Sequence, residues 1–241
     1  MINCVLINAR SICNKLSEFH HLIYSNTYDL IFVCESWLTP NWPNGIIDPL
    51  HLFNIVRCDR SVRSGGGVCI LIRKSLHYAE ITTNSKFNSL ELCGIDIVSK
   101  HARCRFICVY RPPGYGKDSI DYARLIAEYI NTFTMCKHPV IILGDFNLPH
   151  IDWAHLTGPN DSIHNLLLDT FISNGLLQQV SEPTRITNIL DIVLTNEPMI
   201  MPRLQTYELF GNSDHSQVQF CVHVANDHPV ISDACLHGYF L

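Results

Sequence analysis

Several segments of this 241-residue chain end an apolar run in a residue able to handle a proton, a water or a metal ion. Asn8 follows MINCVLI and Glu35 follows LIFVC. Asp145 and Asn147 stand in VIILGDFN, Asp191 in ILDIVLTN, and Asp214-His215 in GNSDHSQVQF. A strand ending in such a group carries it to a sheet edge. There, carboxylates from separate strands can hold a hard divalent cation, and an Asp–His pair can handle a proton. That inventory suits metal-assisted hydrolysis of a phosphate ester.

Each segment also has a plainer reading. In GDFN, Gly144 allows a sharp turn after the strand VIIL, so that Asp145 and Asn147 project together. A carboxylate there can take a proton from water while an amide orients that water; Asp-x-Asn also makes an ordinary turn. An Asp next to a His on an extended chain cannot point the same way, so Asp214 and His215 serve different partners. Asp191 lies between Leu190 and Ile192, and a carboxylate buried in such a run needs a partner. His215 is the natural candidate, because an Asp behind an imidazole fixes its tautomer and stabilises its charged form. Glu35 alone is an unremarkable strand-end acid. Tyr110 and Arg111, entering the turn Pro112-Pro113-Gly114, can grip a phosphate or simply anchor a loop. The triple glycine in RSGGGVCILIR lacks the GK[ST] ending of a phosphate loop and reads as a hairpin or bulge.

The elements that must position these groups are mainly strands. Runs rich in Val, Ile, Cys and Phe span 2–7, 29–34, 53–58, 67–73, 90–98, 102–110, 139–144, 190–195 and 216–224. Helical patterns fit 15–25, 119–134 and 162–174, the second with Ile120, Leu125, Ile126, Tyr129, Ile130 and Phe133 on one face. Many strands with a few helices returning to cover them imply a two-layered sheet core flanked by helices, mostly antiparallel.

Composition narrows the class. At 47% apolar residues the chain can bury a full core as a single domain, and no linker, repeat or low-complexity tract divides it. A net charge of -5 argues against a broad basic surface, although Arg57, Arg60, Arg63, Arg73 and Lys74 fall in one stretch. The 11 cysteines are odd in number, form no CxxC pair and mostly sit in apolar runs, as reduced thiols of an intracellular protein would. Cys104 and Cys108 fall on one face of a strand. The 13 histidines include no Cys/His cluster with zinc spacing. MINCVLINARS is not a signal peptide, and no apolar stretch has membrane-spanning length.

Seven phrases in order, NARSICNK, DLIFVCESWL, SGGGVCILIR, VYRPPG, VIILGDFNLPHIDW, PTRITNILDIVLTN and GNSDHSQVQF, resemble the endonuclease/exonuclease/phosphatase superfamily. They most resemble its endonuclease domains from non-LTR (LINE-type) retrotransposons. The resemblance implies a four-layered α/β sandwich of the DNase I-like type over residues 1–225, with 226–241 as a tail. It also implies a monomeric, Mg2+-dependent enzyme (Mn2+ can replace Mg2+) that nicks DNA, in the nucleus where the target is chromosomal, leaving a 3′-hydroxyl and a 5′-phosphate. By the same resemblance Glu35 is the main metal ligand, helped by Asn8 and Asp214. Asp145 activates water, Asn147 orients it, Asp191 holds His215 against the scissile phosphate, and Tyr110 binds that phosphate. Arg10, Arg111 and Asn188, within the matched phrases, are expected to bind substrate. The chain carries no reverse transcriptase region, and its tail does not continue into one, which fits a fragment, a degenerate copy or a domesticated domain. Two rival readings remain: another hydrolase of the superfamily, such as an apurinic-site nuclease or a phosphatase, and an idle remnant serving as an interaction module. An inositol phosphatase would show a WCDR-like motif where this chain reads PTRIT.

Overall fold

The computed structural model describes residues 1–60, 64–114, 117–159 and 162–224, so the tail and Arg63 lie outside the described residues. In chain order the elements are β1 (Ile2–Asn8), α1 (Leu16–Tyr24), β2 (Leu30–Cys34), α2 (Asn44–Ile47), β3 (Phe53–Cys58), β4 (Val68–Arg73), β5 (Tyr78–Glu80) and β6 (Glu91–Val98). They continue as β7 (Arg103–Tyr110), α3 (Lys117–Phe133), β8 (Val140–Asp145), α4 (Ser162–Ser173), β9 (Leu177–Gln178), β10 (Asp191–Thr195), β11 (Arg203–Leu209) and β12 (Ser216–Val222). One sheet runs β11-β12-β1-β2-β4-β3 and the other β5-β6-β7-β8-β10-β9. The pairs β1–β2 and β7–β8 are parallel, each spanned by a crossover helix, and the remaining strand pairs are antiparallel.

Three buried clusters show why several strands are apolar on both faces. Between the sheets lie Leu6, Phe32, Ile70 and Val218 from one and Ile95, Phe106, Ile141 and Val193 from the other. Phe32 stacks on Phe106 with ring centroids 5.6 Å apart, tying the layers together. Outside the first sheet, α1 buries Phe19 and Ile23 with Val5, Ile31 and Leu71. Outside the second, α3 and α4 bury Ile126, Tyr129, Ile130, Leu167 and Phe171 with Ile107, Ile142 and Ile192. Central strands β2, β8 and β10 are thus buried along their whole length, as their unbroken apolar runs anticipate. The result is the four-layered α/β sandwich.

The short β5 and β9 and the edge strand β11 go beyond the sequence reading. In β11, RLQTYEL alternates with no strongly apolar face, and nearly all of it is exposed or half-buried; an edge strand has neighbours on one side only and needs little hydrophobic patterning. Three arginines of the basic stretch before and after the glycines are engaged within the fold. Arg57 pairs with Asp59 at 2.6 Å, Arg60 with Glu91 at 2.5 Å, and Arg73 donates to the Tyr28 carbonyl at 2.7 Å.

Candidate active site

The registers of the two sheets bring the strand-end residues together. In the second sheet Asp145 pairs with Tyr110 on one side and Asp191 on the other, so three adjacent strands end in polar groups. In the first, Asn8 pairs with Cys34, the residue before Glu35. Across the gap between sheets, the Asn8 side-chain amide donates to Asp145 Oδ2 at 2.9 Å and Glu35 Oε1 at 3.2 Å. The Asp145 amide donates to Cys34 Sγ at 3.3 Å. A side chain at Gly144 would meet the Val109 carbonyl oxygen at 1.9 Å on a backbone with φ of 139°, so only glycine lets β8 approach β7 there.

Glu35 sits in a strained turn, with φ of 51° at Glu35 and 54° at Trp37. Backbone bonds lace it to two neighbouring loops. Ser11 N–H donates to the Glu35 carbonyl at 2.9 Å, Ser36 N–H to that of Gly67 at 3.1 Å, and Trp37 N–H to that of Gly66 at 2.9 Å. The triple glycine is therefore a support for the Glu35 turn: Gly67 has φ of 79°, and its N–H donates to Glu91 Oε2 at 2.5 Å. The Trp37 indole N–H donates to Glu35 Oε2 at 3.1 Å.

His215 Nδ1 lies 2.7 Å from Asp191 Oδ2, and both residues are almost wholly buried. Burial works against charge on the imidazole, but the Asp191 hydrogen bond and charge outweigh it and hold the His215 pKa above its ordinary value. Asp191 Oδ1 has no hydrogen-bond partner among the described residues. Thr184 Oγ1 accepts from the N–H groups of Leu190 and Asp191, each at 3.0 Å, which fixes the start of β10. Ser213 Oγ donates to the Asn8 carbonyl at 2.7 Å and so joins the His215 turn to the end of β1.

Asp145 is 1% exposed and is pushed up to about 8, by burial first and then by the charge of Asp191, with His215 pulling the other way. Asn147, with φ of 48°, donates its backbone N–H to Asp145 Oδ1 at 3.0 Å and its side-chain amide to the Arg111 carbonyl at 2.9 Å. Arg111, expected at the substrate, is buried and donates to the carbonyls of Phe146 and Asn147, each at 2.6 Å. Its guanidinium clamps the Asp145–Asn147 turn from behind. Tyr110 is buried beneath Arg60, whose guanidinium carbon lies 5.8 Å from the ring centroid. Burial, then the charges of Glu35 and Asp145, keep its phenol protonated.

Asp214 and His215 do serve different partners. Asp214, expected among the metal ligands, pairs through Oδ1 with Arg10 at 2.9 Å and through Oδ2 with Arg185 at 2.7 Å. Asn188 closes the Arg185 turn through its backbone at 2.9 Å and lines a cavity of about 190 Å³ with Arg185, Asn147 and Pro113.

The residues present fit a hard divalent ion. Two carboxylates, Glu35 and Asp145, converge on one amide, and Asp145 is driven toward its neutral form by burial and negative charge that a cation would offset. Ligand atoms of Asp145, Asp191 and His215 also lie within 4.8 Å of one another. Of these, His215 already shares its Nδ1 with Asp191, and a raised imidazole pKa opposes the neutral form a metal needs. The oxygen donors at Glu35, Asn8 and Asp145 are therefore the better match to a hard ion.

Five positioning residues escaped the sequence reading: Lys15, Cys34, Trp37, Thr184 and Ser213. Lys15 is buried, and its ammonium donates to the carbonyls of Ala9 at 2.7 Å and Arg10 at 2.9 Å. All five lie inside or beside the resembling phrases, which is the one signal that could have found them.

Residues 104–219 match a family described as "Endonuclease-reverse transcriptase". No curated protein sequence matches the chain. Among solved structures, the AP endonuclease LMAP from Leishmania major superposes with a TM-score of 0.74 at 12% identity, covering 92% of this chain and 88% of that one. The endonuclease domain of TRAS1, a telomere-specific non-LTR retrotransposon, gives 0.71 at 13%, covering 92% and 98%. The 3′ phosphatase NExo from Neisseria, bound to a product DNA hairpin, gives 0.69 at 15%, covering 92% and 100%. The family match covers residues 104–219, just under half of the chain, and these solved structures share its four-layered fold.

Proposed function

We propose that this protein is a Mg2+-dependent phosphodiesterase that nicks DNA, of retrotransposon origin, leaving a 3′-hydroxyl and a 5′-phosphate. The observation that carries the reading is the buried Asp191–His215 pair at 2.7 Å, set beside an Asp145 that Asn8 links to Glu35. Glu35 and Asn8, with Asp145 beside them, would hold the cation. When bound, Mg2+ supplies positive charge against the phosphate oxygens as negative charge grows. Asp145, ionised once a bound cation offsets the burial and negative charge that raise its pKa, is placed to take a proton from the attacking water. Asn147, held by the Arg111 carbonyl, orients that water or a phosphate oxygen. His215, kept charged by Asp191, donates from Nε2 to a phosphoryl oxygen and stabilises the transition state. Tyr110 lines the same wall with its phenol protonated.

DNA as substrate and the retrotransposon origin are favoured by the match to the endonuclease-reverse transcriptase family and by the likeness to TRAS1. The test is a panel of end-labelled intact duplex, abasic duplex, 3′-phosphate-ended duplex and inositol phosphates. Cleavage of intact duplex to 3′-hydroxyl ends is the expected result. Turnover of inositol phosphates alone would overturn the reading, and exclusive cleavage at abasic sites would move the protein to the repair branch.

A further inference from the structure

Arg10 and Arg185 come from distant segments, the loop after β1 and the turn before β10, yet share one carboxylate. Arg10 reaches Asp214 Oδ1 at 2.9 Å, and Arg185 reaches Oδ2 at 2.8 Å through Nε and 2.7 Å through Nη2. Among the described residues Asp214 is the only side chain that pairs with either guanidinium. Each has five N–H donors, so both keep donors to offer elsewhere. They are also accessible, with side chains 47% and 38% exposed. Two positive charges against one negative leave a local excess of one in a chain whose net charge is -5.

The mounting is rigid on both sides. Arg10 has φ of 41°, its N–H donates to Asn8 Oδ1 at 3.1 Å, and its carbonyl accepts from the buried Lys15 ammonium at 2.9 Å. Arg185 stands in a turn closed by its backbone bonds to Asn188, at 3.0 and 2.9 Å, and the Ser216 N–H ties that turn to β12 at 2.7 Å. Asp214 itself precedes His215, whose Nε2 lies 3.9 Å from Asp214 Oδ1. A guanidinium pair held this firmly beside the imidazole is suited to bind a phosphate through paired N–H groups.

We propose that Arg10 and Arg185, aligned by Asp214, form a cradle for the DNA phosphate next to the one that is cleaved, in place of a cation at Asp214. The inference rests on the nuclease reading above. The cradle supplies affinity and register, while the chemistry belongs to Asp145 and His215.

The test uses the full chain in EDTA, which stops cleavage, and measures binding of a fluorescent duplex by anisotropy across a salt series. Arg10→Ala and Arg185→Ala should each lower the slope of log affinity against log salt by about 0.9, the loss of one neutralised phosphate. Arg10→Lys and Arg185→Lys keep the charge and should keep most of the slope while losing affinity. Arg124→Ala, which removes a charge from the exposed face of α3, should leave the slope unchanged. With Mg2+, the alanine variants should raise KM about tenfold and leave kcat within about threefold, as loss of uniform binding does. A parent that binds duplex while both alanine variants keep its salt slope overturns the cradle alone. A parent that neither binds nor cleaves duplex overturns the nuclease reading and the cradle with it.

Discussion

Replacing Asp191 by Asn probes the site with the least change of shape. Asp191 Oδ2 is 2.7 Å from His215 Nδ1, and its other oxygen has no hydrogen-bond partner among the described residues, so an isosteric amide keeps packing and one hydrogen bond. What it removes is a negative charge beside a buried imidazole. Opposite charges about 4 Å apart at an effective dielectric of about 20 attract by roughly 4 kcal/mol, equivalent to about three pKa units at most. Burial already opposes the imidazolium, so without Asp191 the His215 pKa falls below its ordinary value. At neutral pH the charged fraction drops by about ten- to a thousandfold, and plasmid nicking should slow by about 10². In the parent, activity declines as pH rises through the raised His215 pKa; in Asp191→Asn that decline should begin at lower pH. Stability follows the same sign. The contribution of the pair is full below about pH 6.5, is lost as pH rises through the folded value, and should be absent from the variant. Nicking rates from acid to alkaline pH, with NMR titration of the His215 ring, provide the assay. If the variant nicks within threefold of the parent at neutral pH and His215 titrates unchanged, the reasoning about this pair is wrong.

Three further outcomes are expected. Gly144→Ala places a methyl 1.9 Å from the Val109 carbonyl, and should cost at least about 2 kcal/mol, read as a lower Tm in a thermal melt. Lys15→Met leaves the carbonyls of Ala9 and Arg10 without their ammonium donor; the loss should be about 1–3 kcal/mol in urea unfolding and should weaken Mg2+ activation, because this loop directly follows Asn8 at the end of β1. Burial acts against the Asp96 carboxylate, but the two-pronged Arg105 contact at 2.8 and 2.9 Å outweighs it and lowers its pKa. That stability is present at neutral pH and lost as pH falls through the depressed value, so Asp96→Asn should be clearly less stable than the parent at pH 7, with the difference shrinking as the solution is acidified.

The layers were legible in the sequence because they follow from hydrophobic pattern. Continuous apolar runs became the central strands, and the apolar face of residues 119–134 became the buried face of α3. Edge strand β11 was not legible, since a strand paired on one side and wet on the other carries no strong pattern. The polar strand ends were visible as well, because Asn8, Asp145 and Asp191 each interrupt an apolar run that makes burial costly. The supports behind them were hidden for a physical reason. Lys15 and Arg111 act by donating to backbone carbonyls, and any long cationic side chain can do that from many positions. The partners of Asp214 were equally hidden, because Arg10 and Arg185 meet only once the end of β1 in one sheet and the turn before β10 in the other are brought together.

Nicking of supercoiled plasmid by the purified chain tests the central claim most directly, run with Mg2+, with EDTA, and with Asp145→Ala and His215→Ala proteins prepared in parallel. The account predicts open-circular product with Mg2+ only, and a loss of about 10² or more in rate for each variant. Equal nicking by parent and variants, or nicking that persists in EDTA, would contradict it.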